Sequence, residues 1–229
     1  MVISMIKKKK GDWIKKLLKA IVIVYLLLIL CQLVDDVYFR IGTTHKITVP
    51  DEWNLIVVNR WNELPENYSV ELTELSNGQK VDSRIYSALQ EMFDAARVEG
   101  IYPVVREGYR TAGEQQVILD TKIQAYINQG YSRMRAKKTA KERVALPGTS
   151  EHQLGIAVDI NADRSKCSNE EVYTWLFENA YKYGFILRYP LEKQEITGIE
   201  YEPWHYRYVG VEVAREIYEQ QICLEEYME

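Results

Sequence analysis

Ser150-Glu151-His152-Gln153-Leu154-Gly155-Ile156-Ala157-Val158-Asp159 sets a histidine and an aspartate on either side of a glycine. From Ile156 to Ile160 apolar and small or polar residues alternate as they do in a half-buried strand. His152 and Asp159 are an odd number of positions apart, so one flat strand would point them to opposite faces. They converge only if the chain bends between them, and Gly155 is the residue that permits such a bend. A second stretch, Glu202-Pro203-Trp204-His205, has a related form. Pro203 interrupts any regular ladder, which leaves Glu202 at a strand mouth and His205 in the strand proper, running to Val209. That strand puts Arg207 on the face of His205, and Trp204, Tyr206 and Tyr208 on the other.

The two stretches hold two of the three histidines in 229 residues; the third, His45, lies well before them. A lone histidine is usually a surface or satisfied core residue, and Asp159 alone reads as a loop carboxylate. Their joint clustering favours a metal. His152, Asp159 and His205 are the donor set of a three-ligand zinc site, one Zn2+ per chain, whose fourth position is open to water. Glu202, three residues before His205, is the candidate general base beside that water. The chemistry is that of a metal hydrolase.

Working outward, Leu55-Ile56-Val57-Val58 is a short apolar strand candidate. Asp82 caps a helix whose apolar residues Ile85, Leu89, Met92, Phe93 and Ala96 follow helical spacing, with Gly100 ending it. Tyr102–Arg106 reads as a strand. A helix over about 112–128 carries Val117, Ile118, Ile123, Ala125 and Tyr126, and another lies near 134–144. Ser168 or Asn169 opens a helix closed at Gly184, followed by the strands 185–187 and 205–209 and a last helix over about 210–221. The class is α+β: a single compact domain, 52–229, with a central antiparallel sheet carrying the zinc site and flanking helices, preceded by an N-terminal transmembrane helix.

Charge is unevenly distributed in a chain of net charge −4. Residues 1–34 hold seven lysines against Asp12, leaving 22 basic and 32 acidic residues for the rest. An acidic body argues against a nucleic-acid partner. A basic strip, Arg133, Arg135, Lys137, Lys138, Lys141 and Arg143, reads as a solvated helix face, or alternatively as a contact for anionic polymer or lipid headgroups. Residues 20–34 carry no charge, and lysines precede them while Asp35-Asp36 follow, which orients the N-terminus inward and the body outward. No small-residue cleavage site follows the apolar run, so an uncleaved signal anchor is expected over a cleaved signal peptide. This gives a cytoplasmic basic tail at 1–12, a transmembrane anchor at 13–34 and a stalk at 35–51, with the body extracellular. Cys31 sits in the apolar run; a disulfide between Cys167 and Cys223 is chemically permitted in an exported body.

The Ser-Glu-His-Gln-x-Gly-x-Ala-Val-Asp-Ile run at 150–160 and Glu-Pro-Trp-His-Tyr-Arg-Tyr-Val-Gly at 202–210 resemble the signatures of VanY-type D-alanyl-D-alanine carboxypeptidases. That group of zinc peptidases also holds D-Ala-D-Ala dipeptidases, lysostaphin-like endopeptidases and the hedgehog signalling domain. Leu55–Arg60 through Leu64-Pro65, and Gly108-Tyr109-Arg110-Thr111 with Gln115, fit as well, so the resemblance spans about residues 52–221. It implies that His152, Asp159 and His205 bind zinc, that Glu202 is the catalytic base and that Arg110 steadies the scissile carbonyl oxygen. Ser150 and Gln115 match positions near the substrate cleft, and Arg106 is a further candidate partner for a substrate carboxylate. The implied substrate is the peptidoglycan stem peptide outside a bacterial membrane. The expected reaction is removal of the terminal D-Ala. The alternatives are an L,D-carboxypeptidase acting on tetrapeptide stems and a non-catalytic wall-binding or signalling module with structural zinc.

Overall fold

The computed structural model describes residues 52–229. The tail, anchor and stalk expected for 1–51, and Cys31 with them, lie outside the described residues. Among those described, no helix is long and apolar enough to cross a membrane. The first strands among the described residues form a hairpin, β1 (Leu72–Glu74) and β2 (Lys80–Asp82). Asp82 accepts from the Arg84 amide and so caps a 3-10 turn, Ser83–Ile85, that leads into helix α1 (Tyr86–Val98). β3 (Pro103–Glu107) follows, then α2 (Ala112–Asn128), opened by a reciprocal Thr111–Glu114 capping box, and α3 (Arg133–Lys141). Next come β4 (Ala157–Ala162) and α4 (Asn169–Asn179), which Ser168 and Glu171 cap in the same way. β5 (Phe185–Leu187), α5 (Gln194–Thr197), β6 (His205–Tyr208), α6 (Val211–Gln220) and α7 (Leu224–Tyr227) complete the domain.

The central sheet has the order β3-β4-β6-β5 and every pair is antiparallel. Its two faces follow from a side-chain period of two. Val158 and Ile160 of β4, Tyr206 of β6, Val105 and Phe185 point to one side and are buried with Leu89, Met92, Phe93 and Ala96 of α1 and Val172, Trp175 and Leu176 of α4. Full burial of each such aliphatic or aromatic side chain contributes about 1.5–3 kcal/mol, which makes this face the stabilising one. Asp159, His205 and Arg207 occupy the opposite positions, so the sheet gives its other face to polar chemistry, as the spacing of Arg207 from His205 predicts.

Two expectations are corrected. Leu55–Val58 is buried but forms no strand. The Arg207 guanidinium donates to the carbonyls of Asn54 and Ile56 at 3.0 and 2.9 Å, so a side chain supplies donors where a ladder would have supplied amides. In α2, Val117 is 65% exposed and Ala125 is exposed too. The buried face instead runs through Gln115, Leu119 and Tyr126. Cys167 and Cys223 are both free, and the Cys167 sulfur takes a hydrogen bond from the Tyr102 amide. The basic strip on and just after α3 is exposed throughout, while Ala136 and Ala140 pack against Leu119 and Tyr126 of α2.

Candidate active site

Asp159 and His205 face each other directly across the β4–β6 ladder. Directly opposed residues in an antiparallel pair share a face, and here Asp159 Oδ1 lies 2.9 Å from His205 Nδ1. His152 reaches them from outside the sheet. It sits in a 3-10 turn, Glu151–Leu154, that ends at Gly155 in the left-handed conformation with φ +76°. The odd spacing is thereby resolved: His152 is not in the strand at all, and Gly155 makes the bend, as its position suggested. His152 Nδ1 lies 2.8 Å from the Gly108 carbonyl. A carbonyl only accepts, so Nδ1 carries the proton and Nε2 keeps its lone pair for a metal. Gly108 must lack a side chain, because a Cβ there would sit 2.2 Å from the Lys80 carbonyl oxygen.

His152 Nε2 is 3.5 Å from Asp159 Oδ1, and all three ligand atoms lie within 4.8 Å of one another. Metal bonds of about 2.0–2.1 Å in tetrahedral array separate ligands by about 3.3 Å, so the donor set and its spacing fit zinc. Both imidazoles are buried, with 5% and 3% of their surface exposed. Burial opposes the charge of Asp159, but His152 and His205 outweigh it and hold the carboxyl well below the usual aspartate range.

Glu202 stands at the mouth of β6, its Oε2 3.9 Å from His205 Nδ1. The turn through Pro203 places it there, with the His205 amide donating to its carbonyl. Burial pushes its carboxyl up to about 7, with Asp159 adding to the shift and His205 and Arg110 opposing it. A carboxyl poised there exchanges protons readily near neutral pH. Arg110 follows the bulged end of β3; its Nη1 donates to Gln115 Oε1 at 2.7 Å, and its Nε is buried without a partner. Gln115 Nε2 donates to the Ala145 carbonyl. Ser150 precedes the 3-10 turn. Seven of the eight residues singled out in the sequence, Arg110, Gln115, Ser150, His152, Asp159, Glu202 and His205, line one cleft of about 150 Å³. Arg106 is not in that lining; it is exposed and donates to the Ala162 carbonyl.

Sequence reading missed a buried charge cluster under the cleft. Glu151 Oε1 accepts from Arg188 Nε at 2.8 Å and from Arg207 Nη1 at 2.9 Å, and Arg188 also binds both carboxylate oxygens of Glu225. The available signal was Arg207 on the face of His205, with Glu151 beside His152. The contribution of Arg188 and Glu225 is set by tertiary packing alone.

The site also predicts a pH dependence. Burial disfavours the charged form of His205, but its contacts with Asp159 and Glu151 outweigh this and push the imidazole up to about 9. A raised pKa stabilises the fold fully below the unfolded value of about 6.5 and ceases to do so as pH rises through about 9. Glu202, also raised, acts in the same direction. The metal-free protein should therefore melt at a higher temperature at about pH 6 than at about pH 9.5. Calorimetry on chelator-treated protein checks this, and equal or reversed midpoints would contradict it.

Two buried histidines and a half-buried aspartate beside the Glu202 carboxyl, open to a cleft on an α+β sheet, are the arrangement of a zinc metallopeptidase. Comparison with known proteins agrees. The family model described as VanY, D-alanyl-D-alanine carboxypeptidase, matches residues 78–211. A D-alanyl-D-alanine carboxypeptidase of Enterococcus faecalis is 58% identical over 177 residues, covering 77% of this chain and 66% of that protein. The matched region is thus about two thirds of that relative's length. Among solved structures, the Zn(II) complex of the D,D-pentapeptidase VanY from the VanB-type vancomycin resistance cassette superposes with a TM-score of 0.76 at 57% identity, covering 78% of this chain and all of that one. VanYB in complex with D-alanine-D-alanine gives 0.76 at 58%, covering 77% and 98%. The chain belongs to the VanY family of D-alanyl-D-alanine carboxypeptidases.

Proposed function

We propose that this protein is a zinc-dependent D,D-carboxypeptidase that removes the C-terminal D-alanine from peptidoglycan stem peptides. The observation that carries the reading is Glu202, a half-buried carboxyl whose Oε2 lies 3.9 Å from His205 Nδ1, beside a His–Asp–His set that could hold a metal. A module with merely structural zinc has no use for it. The D-alanine-D-alanine complex of VanYB supports the substrate class. His152, Asp159 and His205 would hold the zinc, which when bound supplies an acidified water and a Lewis acid for the peptide carbonyl.

The protein's own groups supply the rest. Glu202 accepts a proton from the attacking water and delivers it to the leaving amine, returning to its starting state. The Arg110 guanidinium holds the negative charge that develops on the carbonyl oxygen, and a preorganised donor of this kind is worth about 3–4 kcal/mol. Gln115 keeps Arg110 in place, since both of its polar ends are engaged within the protein. The Ser150 hydroxyl is the partner for the free carboxylate of the substrate. The lysine-flanked apolar stretch supports a single-pass anchor at 13–34 that holds the domain outside the cell membrane, next to the wall peptide.

The test is product analysis on purified protein with synthetic pentapeptide and tetrapeptide stems. One D-alanine should be released from the pentapeptide, with loss of activity on chelation and recovery on adding zinc. Release from the tetrapeptide alone would replace this reading with the L,D-carboxypeptidase, and zinc-loaded protein inert on both stems would leave the binding module.

A further inference from the structure

Two buried polar atoms next to the metal ligands have no hydrogen-bond partner: His205 Nε2 and Glu151 Oε2. They face each other at 3.7 Å. Buried groups are nearly always paired, so a facing donor and acceptor left unmatched require an explanation. His205 presents Nδ1 to the ligand cluster, where it meets Asp159. Its remaining ring proton is then on Nε2, and Glu151 Oε2 is the acceptor opposite.

Glu151 cannot turn away from that task. Its other oxygen is fixed by Arg188 and Arg207 at 2.8 and 2.9 Å, and both arginines are fully buried. Arg188 is itself held by the two oxygens of Glu225 at 2.7 and 2.6 Å, and Glu225 also accepts from Asn59 at 3.0 Å. The result is a neutral, buried set of two guanidinium and two carboxylate groups. Stability alone does not account for it, because a buried ion set is often no better than apolar packing. Orientation does account for it, since a metal-bound histidine is held by an acceptor on its other nitrogen.

Building on the zinc reading above, we propose that Glu151 is the positioning carboxylate of His205 and that Glu225 acts on it through Arg188. The C-terminal helix α7, which lies beyond the stretch matched by the family model, is then a working part of the metal site.

The experiment is chelator-competition titration of zinc on the full chain, with Co(II) absorption as a second readout of ligand orientation. Wild-type protein should bind one zinc. Glu151→Gln should weaken binding by about 10–100-fold, and Glu225→Gln by a smaller factor of about 3–10-fold, each shifting the Co(II) bands. Glu225→Asp, which keeps the charge, should recover part of the loss. Because Glu225 works through Glu151, the double variant should bind zinc no more weakly than Glu151→Gln alone, a non-additivity expected of residues in one network. Independent, multiplying losses in the double variant would overturn the proposal. So would Glu225→Gln that lowers the melting point of the metal-free protein yet leaves affinity and Co(II) bands unchanged, since that is a purely structural role. If Glu151→Gln fails to fold, Glu225→Gln and Glu225→Asp still decide. Wild-type protein that binds no zinc would defeat the earlier reading instead, so the two failures are distinct.

Discussion

Glu202→Gln is expected to slow D-alanine release by about 10²–10⁴-fold while zinc stays at one per chain. Glutamine keeps the shape of the side chain and removes only its capacity to take and return a proton. Glu202 Oε2 is 3.9 Å from His205 Nδ1, outside direct contact, so the ligand set should be undisturbed. The loss should fall on kcat more than on KM, because proton transfer is a transition-state contribution. Steady-state kinetics with metal analysis on the same preparation checks both halves. A variant within tenfold of wild type, zinc in place, would remove Glu202 from the proton path. Loss of zinc alongside loss of activity would move it into the ligand shell.

The largest expected effect on stability is at Arg207. Its fully buried guanidinium pairs with Glu151 and caps the carbonyls of Asn54 and Ile56. Arg207→Met fills similar volume but breaks the pair, at a cost of about 3–5 kcal/mol, and leaves the buried Ile56 carbonyl and the part-buried Asn54 carbonyl without that donor. Urea unfolding of the metal-free variant against wild type measures the difference. A loss below about 1 kcal/mol would mean that Glu151 and the 54–58 segment find other partners.

Much of the fold was legible because its elements have strong local signals. The helical spacing of Leu89, Met92, Phe93 and Ala96 identifies α1, and alternation over 156–160 identifies β4. Gly155 and Pro203 explain in advance how odd spacings converge, since each breaks the regular geometry that would separate the ligands. What stayed hidden depends on long-range pairing. Leu55–Val58 has the composition of a strand, yet its carbonyls are met by a side chain some 150 positions away in sequence. Apolar pattern cannot distinguish an amide donor from a guanidinium one. Val117 misled because α2 buries Gln115, whose inward place comes from Arg110 and Ala145 rather than from hydrophobicity. The clustering of His152, Asp159 and His205 with Glu202 was legible because metal and proton-transfer chemistry restricts residue types. The Arg188–Glu225 pair was not, because ordinary charged residues carry no mark of the partner they will meet.

The opposition of Asp159 and His205 in the ladder has one more consequence. A strand slipped by a single residue turns every side chain to the other face. In β6 such a slip would bring Tyr206 opposite Asp159 in place of His205. Misregistered chains then lack a ligand and cannot hold the ion, while correctly registered ones can. Since a ligand stabilises only the state that binds it, zinc held by this set would proofread the sheet, favouring the one alignment of β4 with β6 that sets Asp159 opposite His205.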